Sequence, residues 1–199
     1  MFVNFVSSAL VTPVVLAACL VGSAFSLAAP VPTEERIPVD VRRTTFIVED
    51  VDKSLTLYRD ALGLQVIYDQ VLVSPLPDGD ERKRRLVLLQ ANDDFIGAIG
   101  LLEYMQPRKP QRQEQFDEPV PGDPIVVINA QDLDKRWGKV VAAADVQVIT
   151  APHLVHYPRA DGGQIAVMMS MIRDADGYWL EINQLLDAPA RAEDASKAQ

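Results

Sequence analysis

The sequence predicts an α+β fold made of two copies of one βαβββ module, and two observations lead to it. First, residues 50–67 align without a gap on residues 132–149, with seven identical positions of eighteen. Second, each copy places apolar residues at helical spacing and is flanked by strand-like segments. One long repeat in two copies indicates paired halves of a single domain rather than a solenoid. We therefore expect function where the halves meet.

The first copy opens with a strand over residues 42–48, where Thr, Phe, Ile and Val follow one another. An amphipathic helix comes next, because apolar residues recur at steps of four, three and four: Val51, Leu55, Tyr58 and Leu62. Asp50 or Asp52 can cap this helix and Gly63 can end it. The remaining strands are expected at residues 64–68, 84–90 and 96–104.

The second copy repeats the apolar stripe at Leu133, Trp137, Val140 and Ala144. Its later strands are expected at residues 146–150, 164–171 and 178–183. Asp-Gly within residues 173–177 predicts a hairpin turn. Two loops are predicted, over residues 73–83 around a Pro-Asp-Gly turn and over residues 151–163, which contain both histidines.

The domain boundaries follow from changes in composition. We expect a leader at residues 1–29, a linker at 30–41, one globular domain at 42–184 and a polar, flexible tail at 185–199. Module one covers residues 42–105 and module two residues 124–184, separated by a proline-rich, charged linker.

The leader predicts export, because residues 1–33 carry no charged side chain and most of them are apolar. Leu16-Ala-Ala-Cys19 resembles a lipoprotein processing site, whereas Ser26-Leu-Ala28 resembles a signal peptidase site. An uncleaved anchor is the alternative, since about 20 apolar residues can span a bilayer. The expected location is periplasmic or extracellular, with contact to a membrane only through the leader or a lipid on Cys19. The net charge of -9 argues against nucleic acid as a partner.

Residues 48–64 and 172–182 resemble the two motifs of the vicinal oxygen chelate superfamily, which includes glyoxalase I, bleomycin resistance proteins and extradiol dioxygenases. The resemblance implies a glyoxalase-like domain whose modules form a cup around a small molecule. It also implies that a divalent metal is held by the first and last strands of each module. The corresponding positions are Arg43, Glu103, Ile125 and Glu181. Only the two glutamates are ligand-type side chains, so the implied metal set is incomplete.

Strand alternation predicts which side chains line the cup. If Phe46 and Val48 face the helix, the lining is formed by Arg43, Thr45, Ile47, Ile99, Leu101, Glu103, Ile125, Val127, Asn129, Trp179, Glu181 and Asn183. The ligand-binding candidates among them are Arg43, Thr45, Asn129 and Trp179. An ion pair from Arg43 to Glu103 or Glu181 would satisfy these charges.

Two functions remain open at this point. One is an exported protein that binds a small molecule without the full metal site. The other is a divergent metal-dependent lyase, isomerase or dioxygenase that uses Glu103 and Glu181, with His153 or His156, to hold Mn, Ni, Zn or Fe. The sequence does not decide whether the protein is an enzyme, and a homodimer is compatible with either function.

Overall fold

The computed structural model describes residues 33–93, 95–112, 116–159 and 162–186. The chain divides into two compact units, Met1–Pro30 and Val31–Gln199, and the described residues all belong to the second. The predicted leader at 1–29 and residues 187–199 of the predicted tail lie outside them. No helix within the described ranges is long and apolar enough to cross a membrane.

Module one contains one helix and a four-stranded sheet, preceded by a short 3-10 helix at Thr33–Glu35. The helix α1 spans Val51–Leu55 and continues as a π-helical segment, Thr56–Ala61. The strands are β1 (Arg43–Val48), β2 (Gln65–Pro75), β3 (Glu81–Gln90) and β4 (Ala98–Gln106). Their order is β1-β4-β3-β2, with β1 parallel to β4 and the other neighbours antiparallel.

Module two has the same topology. Its helix α2 spans Leu133–Ala142, and its strands are β5 (Ile125–Asn129), β6 (Gln147–Pro158), β7 (Gln164–Arg173) and β8 (Trp179–Leu185). The order is β5-β8-β7-β6, again with one parallel pair, β5 and β8. The predicted α+β fold of two βαβββ modules is thus confirmed.

The first helix begins and ends at the predicted residues. Asp50 accepts hydrogen bonds from the backbone N–H groups of Asp52 and Lys53, at 2.8 and 3.2 Å. Gly63 follows the helix with a φ of 78°, a conformation that glycine adopts without strain. In the second module Asp132 instead accepts a 2.5 Å hydrogen bond from Nε of Arg136.

The two long loop predictions were largely wrong. Strand β2 continues to Pro75 and β3 already begins at Glu81, so only a tight turn remains around the Pro-Asp-Gly sequence. Strand β6 likewise runs to Pro158 and contains both histidines. Polar residues are compatible with strands here because β2 and β6 are outer strands of their sheets, with most of their side chains exposed.

Each sheet has two different faces. One face packs on the helices and forms a single core shared by both modules, with fully buried residues such as Tyr58, Leu101, Val140 and Ile182. We call this side the helix face and the opposite side the open face.

Candidate functional site

Strand register assigns the residues of β1 and β4 to the two faces. Phe46 pairs with Leu101 and Val48 with Glu103, and the first three of these residues belong to the core. Paired residues in neighbouring strands point to the same side of a sheet. Glu103 therefore lies on the helix face, and the predicted orientation of Ile99, Leu101 and Glu103 toward the cavity is wrong.

Glu103 has a structural contact on that face. Its Oε2 accepts a hydrogen bond of 3.3 Å from the backbone N–H of Val51, the first residue of α1. In module two Oε1 of Gln184 accepts one of 3.2 Å from Leu133, the first residue of α2. Glu103 and Gln184 thus occupy equivalent positions, and each satisfies an N–H group that has no partner inside its helix.

The residue that corresponds to Glu181 in module one is Gly100. Glu181 pairs with Val127 on β5, and the residue equivalent to Val127 in module one, Thr45, pairs with Gly100. A Cβ atom on Gly100 would lie 2.8 Å from Oγ1 of Thr45 and 3.2 Å from Cδ of Arg43. The side chains of Arg43 and Thr45 therefore fill the space that a larger residue would need.

In module two the predicted residues of β5 and β8 share one face of the sheet. Val126, Ile128, Leu180 and Ile182 pack in the core, which leaves Ile125, Val127 and Asn129 on the open face with Trp179, Glu181 and Asn183. Asn183 Nδ2 donates a 2.5 Å hydrogen bond to Oε1 of Glu181. Asn129 Oδ1 accepts a 3.3 Å hydrogen bond from the backbone N–H of Leu185. Trp179 is 5% exposed.

The predicted ion pair of Arg43 does not form. Glu103 lies on the other face of the sheet, and Glu181 is hydrogen-bonded to Asn183. Within the described part of the chain, no carboxylate approaches Arg43 to ion-pair distance. Its guanidinium group is exposed on the open face of module one.

The two histidines point to opposite sides of β6. His153 pairs with Met169, which is on the open face with Asn183, whereas His156 pairs with Ala166 on the helix face. Nδ1 of His153 lies 3.1 Å from the carbonyl oxygen of Ala151. The structure therefore does not bring the two imidazoles together.

The modules are joined by a polar junction at the C-terminal end of β1. The hydroxyl of Tyr178 accepts from the backbone N–H of Ile47 and donates to its carbonyl oxygen, both at 3.1 Å. Oδ1 of Asp176 accepts a 2.7 Å hydrogen bond from the backbone N–H of Glu49. Burial raises the pKa of Asp176, and the charge of Glu49 raises it further. The junction therefore fixes the turn before β8 against the edge of module one.

A cleft of about 240 Å³ opens beside this junction under the inter-module linker. Strand β1 provides Ile47 and Glu49, the turn provides Asp176 and Tyr178, and the linker contributes residues 109–112. Gln111 Nε2 donates to Oε2 of Glu49. A smaller hollow of about 20 Å³ shares Arg112, Asp176 and Gly177 with the cleft and reaches Arg173 and Trp179.

Four buried polar atoms without a hydrogen-bond partner lie on the open faces. Asn183 lies there with Trp179, and Arg173 pairs with Trp179. In module one Val87 and Leu89 of β3 belong to the core, so the residues that alternate with them point to the open face. These residues include Arg84, which pairs with Tyr104, and Gln90, which lies two positions after Leu88. The atoms are Arg84 Nε, Gln90 Oε1, Arg173 Nε and Asn183 Oδ1. Sequence reasoning missed Arg84, Gln90 and Arg173, because polar residues in strands give no signal of burial.

The fold consists of two paired βαβββ modules, and the sheet of each module has a helix face and an open face. A family model, Glyoxalase/Bleomycin resistance protein/Dioxygenase superfamily, matches residues 41–182, and the chain belongs to this superfamily. The match spans both modules and confirms the resemblance of the two motifs.

One solved structure with a TM-score above 0.5 agrees with the fold. A glyoxalase family protein from Bacillus cereus is 13% identical, covers 78% of this chain and 99% of its own, and superposes with a TM-score of 0.56. Glyoxalase I from Leishmania major is 18% identical, with 81% and 97% covered and a TM-score of 0.47. A family enzyme from Burkholderia phytofirmans is 16% identical, with 74% and 100% covered and a TM-score of 0.45. No curated protein gave a significant match.

The donor set at the superfamily's metal positions does not fit a metal. Members often bind a divalent cation, but strand register gives Arg43, Gly100, Ile125 and Glu181 at the four positions. A catalytic zinc site usually has three protein ligands and oxygen-rich sites about six donors, whereas only Glu181 is a donor here. No group of three or more His, Cys, Asp or Glu residues suited to a metal occurs in the described ranges.

Proposed function

We propose that the protein binds a small organic molecule on the open faces of its two modules, without the superfamily's metal. The observation that carries this proposal is the position of the unpartnered polar atoms. Of five such buried side-chain atoms among the described residues, four lie on the open faces and none belongs to the shared core.

The unpartnered polar atoms have an energetic cost. A buried donor or acceptor without a partner costs about 1–3 kcal/mol, so such atoms are few in folded proteins and need an explanation. A ligand that supplies the missing hydrogen bonds removes this cost. Half-buried apolar side chains lie between these atoms on both open faces, together with Glu181 in module two: Leu86, Leu88, Leu102, Met169 and Met171. Apolar walls with a few placed polar groups are typical of small-molecule sites.

The same face disfavours metal catalysis on grounds of charge. Arg43 places a permanent positive charge at one of the four superfamily positions, and a cation next to it would be repelled. Arg43 also occupies the space above Gly100, where a second ligand would have to stand. The proposal therefore assigns Arg43, Thr45, Asn129 and Trp179 to ligand binding rather than to a metal centre.

Native mass spectrometry and metal analysis of the purified protein test the proposal together. We expect a small molecule to copurify and less than a tenth of a metal equivalent to remain after chelation and re-addition of Mn, Ni, Zn or Fe. Leu88→Trp would fill the open face and should release the molecule. Val71→Trp places the same side chain at an exposed position on the other face and should retain it. Stoichiometric metal that disappears in Glu181→Ala would overturn the proposal.

We also propose that the protein acts outside the cytoplasm, supported by the uncharged apolar segment at residues 1–29. Mass spectrometry of fractionated cells would test this. Cleavage after Ala28, or before a lipid-modified Cys19, is the expected result. A chain that retains its leader in the cytosolic fraction would contradict export.

A further inference from the structure

The side chain of Arg173 lies at the end of β7, on the open face of module two. The residue is only 6% exposed, and its Nε is buried without a hydrogen-bond partner. Its guanidinium carbon stands 4.2 Å from the centre of the Trp179 ring. In the part of the chain that the structure describes, no carboxylate lies within ion-pair distance of it.

A buried guanidinium group without a counter-ion is unusual. Buried charges in proteins are paired, because removing a charge from water is costly. The stacking contact with Trp179 recovers only part of this cost. Arg173 therefore retains an uncompensated positive charge and at least one unused donor.

The other charged groups around Arg173 are already satisfied. The hollow beside it is also lined by Arg112, Asp123 and Asp176. Asp123 accepts from Nη1 of Arg112 at 2.7 Å and from the backbone N–H of Val120 at 3.2 Å. Asp176 accepts a 2.7 Å hydrogen bond from the backbone N–H of Glu49. Among these four charged residues, Arg173 is the one whose side chain has no ion-pair or hydrogen-bond partner in the described part of the chain.

We infer that Arg173 and Trp179 form the recognition site for an oxyanion, a carboxylate or phosphate, at one end of the bound molecule. The inference rests on the proposed small-molecule function and names the chemical class of the ligand. The planar guanidinium group of an arginine can donate two parallel hydrogen bonds to a carboxylate or phosphate, whereas the ammonium group of a lysine acts as a point charge.

The space around Arg173 fits such a molecule. The hollow holds about one water-sized group, enough for the terminal oxygens of a ligand but not for its body. The adjoining cleft of about 240 Å³ can hold the body. Its walls combine apolar or aromatic surface from Ile47, Pro110 and Tyr178 with the polar side chains of Glu49, Lys109, Gln111, Arg112 and Asp176.

Benzoate and its neutral isostere benzamide are suitable probes, titrated by chemical-shift perturbation and by the fluorescence of Trp179 in a Trp137→Phe background. We expect benzoate to bind the Trp137→Phe protein at least tenfold more tightly than benzamide. Arg173→Met should remove that preference. Arg59→Met is the matched control, because Arg59 is exposed and pairs only with its neighbour Asp60 among the described residues.

The outcomes separate the two proposals. If benzamide binds as well as benzoate, or Arg173→Met binds benzoate unchanged, the oxyanion site is wrong while small-molecule binding stands. If neither probe binds at millimolar concentration and no molecule copurifies, both proposals fail. Because Arg173→Met could affect folding, Arg173→Lys is measured beside it. Lysine keeps the charge but loses the paired donors, so an intermediate loss supports two-point recognition and an unchanged affinity argues against it.

Discussion

The hydroxyl of Tyr58 in module one donates a 2.7 Å hydrogen bond to Oδ2 of Asp174 in module two. Both residues are buried, and the other carboxylate oxygen of Asp174 accepts from the backbone N–H groups of Asp176 and Tyr178, at 3.0 and 2.9 Å. One carboxylate thus holds the turn before β8 and connects it to the helix of the other module. This turn includes Asp176 and is followed by Tyr178, the two residues that make the junction contacts beside the cleft.

Removing the Tyr58 hydroxyl should destabilise the protein without creating a large cavity in its core. Tyr58→Phe retains the ring that packs 5.7 Å from Phe46 but leaves a buried carboxylate oxygen without its donor. We expect a loss of about 1–3 kcal/mol in the free energy of unfolding, measured by urea denaturation. Tyr157→Phe, at an exposed tyrosine, is the control and should change it little. Equal values for both variants would show that the bond adds nothing.

Asp174 should make stability depend on pH. Burial raises the pKa of its carboxyl group, so the folded protein favours the protonated acid. A group whose folded pKa is raised contributes stability that is present below its unfolded pKa, about 4, and is lost as pH rises through the folded value. Asp174→Asn keeps the shape and cannot ionise. Its free energy of unfolding relative to wild type should therefore increase between pH 4 and pH 7.

Asp78→Asn is the control for that pH series, because Asp78 is exposed in the β2–β3 turn. Subtracting its pH profile removes the general effect of losing one surface carboxylate. A profile for Asp174→Asn that runs parallel to that of the control would contradict the assignment.

Arg43 and Gly100 should be energetically coupled. Gly100→Ala brings a methyl group against Thr45 and Arg43, and we expect about 1–3 kcal/mol of destabilisation from overpacking. Arg43→Ala should relieve part of it, giving a coupling energy of at least about 0.5 kcal/mol in a double-mutant cycle. Strictly additive effects would mean that Arg43 does not fill this space in solution.

Glu103 and Gln184 should behave as a matched pair of helix caps. Glu103→Ala and Gln184→Ala each leave the first N–H of a helix unsatisfied, which costs about 0.5–2 kcal/mol. Glu103→Gln keeps a hydrogen-bond acceptor, so its unfolding temperature should fall less than that of Glu103→Ala. If the two Glu103 variants are equally destabilised, the negative charge rather than the hydrogen bond is what α1 requires.

The same pair shows where sequence reasoning stopped. The repeat between residues 50 and 149 has a constant offset of 82 positions, and it correctly predicted both helices and the face of β1 and β5. The last strands have an offset of 81, since Glu103 corresponds to Gln184 and Gly100 to Glu181. A change of one residue turns every side chain of a strand to the other face. No identity in the last strands reveals this change, so the sequence predicts the wrong face for Glu103.

The module architecture was predictable because periodicity and caps are local signals, whereas the site was not. Arg173 precedes an Asp-Gly turn and reads in the sequence as an ordinary strand end. Its burial depends on Trp179, its neighbour on β8, and on the linker above them. The same holds for Asp174, whose partner Tyr58 lies 116 residues away. A contact between segments that are far apart in the sequence leaves no periodic pattern in that sequence, so a single sequence does not predict it.

Restoring the superfamily's metal ligands provides the sharpest test of how the open faces are arranged. The triple variant Arg43→His, Gly100→Glu and Ile125→His removes the positive charge of Arg43. It also provides three metal-ligating side chains, which together with Glu181 make a set of four. Two imidazoles and two carboxylates form a set that suits zinc or nickel. We expect the wild type to retain no metal after dialysis and the triple variant to bind about one equivalent, measured by calorimetry and elemental analysis. Adding Glu181→Ala to the triple variant should weaken binding at least tenfold, because it removes one of the four donors. A folded triple variant without metal affinity would mean that the two open faces do not converge.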